Sequence, residues 1–228
     1  MTFYNVISAL IFFGAFQQLL IAIAADDAAH LLMAATLAVL VFNDAVYTSH
    51  VVEGDKTVTY TLPLMLNDLL NFCLLAGAIA VLNPTQNVFE VNLSSLFGET
   101  DDDELGRLSE TWFWLILGVY WISILFWTWR AGKYQAGYPA GLLIAEGLIT
   151  DGYPEERKVR YPRTLFLLAM LVAILFSLQA LFVWKQWALP ATLGRAAALG
   201  YVLAYVAILR PYLLKRWKHR QVAAIKAP

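Results

Sequence analysis

Apolar residues in this chain come in long runs broken by short polar stretches, not in strict alternation. The runs cover roughly 3–24, 28–50, 61–82, 111–130, 163–184 and 188–210. Each reaches or approaches the ~20 residues a helix needs to cross a hydrocarbon layer. A helix is also the one simple segment that satisfies all its own backbone groups in lipid. The pattern predicts an all-α polytopic membrane protein, with six transmembrane helices in one domain over 1–210 and a basic tail at 211–228.

The breaks refine this topology. The acidic turn "AADDAAH" joins the first two runs and "KQW" joins the last two, so each pair should form an antiparallel hairpin. Pro190 suits the first turn of the last helix and Pro211 its end. The acidic cluster Asp101, Asp102, Asp103 and Glu104 predicts a short surface helix ahead of the fourth run, where a helix N-terminus favours negative charge. It lacks the alternating ligands of a calcium loop. Between residues 131 and 162, "YPAGLLIAEGLITDGYP" is too short and interrupted to span, and reads as an interfacial or re-entrant segment.

Composition agrees with the runs: 60% of the 228 residues are hydrophobic and 14% are charged. The distribution of Lys and Arg sets the orientation. With the N-terminus inside, thirteen of the sixteen fall in inner segments, two (Arg107 and Lys185) in outer ones, and Arg195 within a span. Both termini are therefore expected in the cytoplasm and the protein in the cell membrane. The tail residues Lys215, Arg216, Lys218 and Arg220 should meet anionic lipid headgroups, and nothing in the tail reads nucleic-acid bases. The fourth run, "TWFWLILGVYWISILFWTWR", carries tryptophans at both ends, as interfacial belts do.

Polar residues inside the runs are the candidate chemistry. Asn43 and Asp44, with Tyr47 and His50, fall within about 120° of the second helix, and Asn67, Asp68 and Asn71 within about 100° of the third, at 100° per residue. Asp44 should lie about 9 Å from the inner end and Asp68 about 12 Å, at ~1.5 Å per residue. The two stripes thus share a depth on helices expected to be neighbours. A charged Asp facing lipid costs about 2.5–3.5 kcal/mol even on lenient scales, so both should face protein or water. These residues either bond helices together, line an ion pathway, or serve an intramembrane reaction together with Tyr47 and His50. Arg195 either snorkels outward, pairs with a carboxylate, or contributes to a positive ring in an oligomer. Gln17 and Gln18 could line the same interior or bond neighbouring helices.

Several chemistries lose their usual signals. No lysine lies well inside a run, His30 and His50 are about 30 Å apart by helical rise, and neither HExxH, GxSxG nor a P-loop occurs. The single cysteine, Cys73, excludes an internal disulfide. No cofactor or metal is expected. Small membrane subunits with polar stripes often complete a pathway by symmetric association. The leading expectation is therefore a homo-oligomeric ion channel lined by Asn43, Asp44, Asn67, Asp68 and Asn71 in its cytoplasmic half, with Arg195 in the outer part. The alternatives are an ion-coupled carrier, a lipid-headgroup enzyme and a non-catalytic assembly subunit.

Overall fold

The structure is a computed structural model that describes residues 3–54, 62–82, 102–131 and 163–212. All of these form helices or the turns joining them: α1 (Phe3–Ala25), α2 (Ala28–Gly54), α3 (Leu62–Leu82), α4 (Asp102–Ala131), α5 (Arg163–Trp184) and α6 (Ala188–Ala204). A π-helical turn, Tyr205–Leu209, continues α6.

α2 runs to Gly54, four residues past its expected end, and two further elements differ in kind. α4 is one helix of 30 residues, so Asp102, Asp103 and Glu104 open this long helix itself instead of a separate surface helix. Nothing between Glu104 and Thr111 stops the helix. Arg107 pairs with Glu104 at 3.3 Å, and the Thr111 hydroxyl donates back to the Arg107 carbonyl at 2.8 Å. At the end of α6, the N–H of Arg210 donates to the Tyr205 carbonyl, the five-residue bond of a π turn. The widening falls immediately before Pro211, which has no N–H to give and whose ring crowds the carbonyl four residues back.

Two tight turns of the same design close the hairpins. Asp26 ends α1 and Gln186 ends α5 in the left-handed region, with φ of 53° and 58°. Asp27 N–H then donates to Ala22 and Trp187 N–H to Phe182, while Asp26 donates to Ile23 and Gln186 to Val183. This is the Schellman pattern, which satisfies the last carbonyls of a helix. Asp27 also starts α2, its Oδ1 accepting from the N–H groups of Ala29 at 2.9 Å and His30 at 3.1 Å.

The helices pack in the order α1–α2–α6–α5–α4–α3, and α3 returns to α1, forming a ring. α2 and α3, expected as close neighbours, touch only lightly across the interior because α2 packs mainly on α1 and α6. The centre is filled by Leu37, Leu40, Leu75, Phe113, Leu117 and Phe176, each fully buried. The outside is apolar as well: Leu10, Phe13, Phe16, Leu167, Ile174 and Leu193 are all exposed. Four stretches, Val6–Ala25, Asp103–Leu125, Phe166–Trp184 and Ala188–Tyr212, are long and apolar enough to cross a membrane. Ala28–Asp44 and Leu66–Leu82 are apolar helices of shorter described length.

Both tight turns lie at one end of the ring, here the turn end, and the C-terminus of α2 and the N-terminus of α3 lie at the other, the loop end. Removing the Asp27 cap by Asp27→Ala should lower the stability of the first hairpin by about 1 kcal/mol, with Asp27→Asn near wild type. Denaturant unfolding in detergent reads both.

Candidate functional site

Polar side chains gather at two levels of the ring interior. The first is near the turn end, where Arg195 of α6 reaches across to Glu110 of α4. Arg195 Nε donates to Glu110 Oε1 at 2.7 Å and Nη2 donates to Oε2 at 2.6 Å, a two-pronged geometry that matches the guanidinium fork to the carboxylate. The indole of Trp114 donates to the same Oε1 at 3.1 Å. Their side chains are 16% and 11% exposed, which shelters the pair from solvent screening. Of the three expected uses of Arg195, the structure contains pairing with a carboxylate. α5 packs between α4 and α6 over much of their length, so the ion pair adds a fastening between two helices that share little other contact.

The second level lies toward the loop end. The Asp44 carboxyl interacts with that of Asp68 and with the Tyr120 hydroxyl, joining α2, α3 and α4. Ser123, one turn along α4 from Tyr120, donates to Asn67 Oδ1 at 2.7 Å. Arg210 Nη1 donates to Asn43 Oδ1 at 3.2 Å. The π turn rotates the end of α6 and sets the register from which Arg210 reaches α2. Asn71, one turn above Asn67 on α3, is 9% exposed, and its Oδ1 accepts no hydrogen bond from a described residue.

Between the two levels the interior is apolar. Leu117, Ala198 and Val202 are buried there; at the edge of the loop-end level Trp121 of α4 and Tyr205 of α6 meet edge to face with ring centroids 5.8 Å apart, and the Trp121 indole donates to the Ala169 carbonyl at 2.7 Å. Close helix contact at the turn end depends on Gly194. A Cβ there would collide with the amide of Gln179, which donates to the Ala191 carbonyl at 2.9 Å.

The stripe residues Asn43, Asp44, Asn67, Asp68 and Asn71 thus form one layer, and Arg195 stands apart at the other end of the bundle. Gln17 is half-buried. Gln18 is wholly buried on the inner stripe of α1, with neither amide atom bonded to a described residue. The side chains of Tyr47 and His50, and the tail residues Lys215, Arg216, Lys218 and Arg220, lie outside the described residues. Among the described residues, no three His, Cys, Asp or Glu side chains are grouped to hold a metal.

Four participants escape sequence reading. Glu110 stands at the edge of the fourth apolar run, Tyr120 and Ser123 are ordinary residues of an aromatic-rich helix, and Arg210 counts as a flanking charge. Pro211, beside Arg210, is the signal that marked a change in the helix there.

Arg195→Ala, which leaves Glu110 buried without its cation, should lower stability by about 3–5 kcal/mol, whereas the joint replacement Glu110→Leu with Arg195→Leu should cost far less. Thermal unfolding of the two variants in detergent measures the difference. No protein-family model, curated protein or solved structure matches this chain, so the chemistry of both levels rests on their own geometry.

Proposed function

We propose that this protein is a multi-pass protein of the cell membrane that conducts small cations through the interior of its helical ring. The observation that carries the reading is the approach of the half-buried Asp44 and Asp68 carboxyls to each other and of Tyr120 to Asp44, flanked by the Asn67–Ser123 and Asn43–Arg210 pairs. Carboxylates are expensive at membrane depth and mark ion or proton paths when they face an interior. Two acidic groups in an aqueous pathway favour cations. Arg195, the residue that could have favoured anions, has its charge balanced by Glu110.

In this reading all six helices cross the bilayer, both termini are cytoplasmic, and the loop end opens inward. Lys and Arg asymmetry supports that orientation. The polar layer is the inner vestibule, and the apolar plug with the Arg195–Glu110 pair is the closed gate. Because the polar groups converge within one chain, each protomer of a homo-oligomer carries its own path. The basic tail rests on anionic lipid headgroups. A second reading, an ion-coupled carrier, draws on the plug that separates the two polar levels, since a carrier exposes its site to one side at a time.

Flux into liposomes containing the purified protein tests both. Asp44→Asn and Asp68→Asn should each reduce cation flux by about tenfold, equivalent to ~1.4 kcal/mol in the barrier. Unitary currents identify the channel, and saturable flux driven by a proton gradient identifies the carrier. Folded wild-type protein with no flux under either condition would leave the layer as structural cross-links and overturn both readings.

A further inference from the structure

We propose that Gln179 is a positioning residue for the turn-end ion pair: it sets the register of α6 against α5 so that the Arg195 fork meets Glu110. Its consequence for flux rests on the reading of that pair as the closed gate. The positioning itself is measured by unfolding, which does not require transport.

The contacts around the pair close a circuit through α5. Gln179 and Phe176, one turn apart on that helix, are both buried. Phe176 lies against Trp114 with ring centroids 5.6 Å apart, and the Trp114 indole donates to Glu110 at 3.1 Å. Gln179 Nε2 donates to the Ala191 carbonyl of α6 at 2.9 Å. In a regular helix that carbonyl also accepts the backbone N–H of Arg195, four residues on. α5 therefore supports the carboxylate from one side, through Trp114, and from the other side the helix that carries the guanidinium.

Two details separate Gln179 from ordinary packing. Its Oε1 is buried and accepts nothing from the described residues, a costly state that an apolar side chain of the same size would avoid. Buried polar groups kept at such a cost can fix the register of packed helices. The same Oε1 also rests where a Cβ on Gly194 would stand, and the Phe182 ring is 3.6 Å from that position. The amide thus engages α6 at two points, the Ala191 carbonyl and the bare backbone of Gly194. A slide or rotation of α6 breaks the hydrogen bond or drives a side chain into the amide. The two-pronged pair needs both guanidinium nitrogens in line with the carboxylate, so an error in register separates it.

Denaturant unfolding of the full-length protein in detergent is the test. A double-mutant cycle of Glu110→Gln and Arg195→Gln reads how strongly the two side chains are coupled. In the wild-type background the coupling should amount to about 100-fold in the unfolding equilibrium constant. In a Gln179→Met background, similar in size but unable to donate, it should fall by about tenfold. If Gln179→Met does not fold, Gly194→Ala, which evicts the amide while keeping Gln179, should give the same fall. Ser177→Ala, at an exposed position of α5 whose hydroxyl bonds within its own helix, should leave the coupling unchanged. Lower stability with undiminished coupling in the substituted background would make Gln179 ordinary packing and overturn the proposal. An equal fall in Ser177→Ala would overturn it too. In liposomes, Gln179→Met should raise cation flux, as a displaced gate requires. Lost coupling with unchanged flux would uphold the positioning and overturn the reading of the pair as a gate.

Discussion

A carboxylate set among helices whose outer faces are leucine and phenylalanine has to find its partners within the same chain. Asp44 is that group, and much of the loop-end architecture follows from it. Its interactions with Asp68 and Tyr120 draw together three helices that are not all neighbours in the ring. α2 and α3 touch only lightly, so the polar layer links them where apolar packing does little. The same constraint acts at the other end, where Glu110 is buried only because Arg195 reaches it.

These two levels divide the interior by chemistry. At the turn end a balanced ion pair, reinforced by an indole N–H, joins α4 to α6. At the loop end the Asp44 carboxyl interacts with Asp68 and Tyr120, and Arg210 donates to the adjacent Asn43. An ion pair with complementary geometry resists separation. Leu117, Ala198 and Val202 are buried between the two levels, so the interior there is apolar.

Much of the helical framework is legible in sequence because a run of about 20 apolar residues has few alternatives to a helix in lipid. Asn43, Asp44, Asn67, Asp68 and Asn71 stand out for the complementary reason that polar groups in such runs are costly. What escapes is whatever depends on long-range packing. The ring order inserts α6 beside α2, and the stretch between Glu104 and Thr111 joins α4 instead of forming a separate helix, which carries Glu110 inward. Tyr120 and Ser123 become site residues only through the neighbours that packing gives them. Pro211 is visible in sequence, but the π turn before it, and the reach of Arg210 to Asn43 that it permits, are consequences of three-dimensional context.

Whether water reaches the polar layer decides between an ion pathway and a set of buried cross-links. The most direct measurement is thiol accessibility at position 71, using Asn71→Cys in a Cys73→Ala background reconstituted in sealed liposomes. A small, charged, membrane-impermeant thiol reagent should label this position from the loop-end face and from that face alone. Failure of the charged reagent from both faces, with labelling by a lipid-soluble reagent, would show a dry layer and contradict the account.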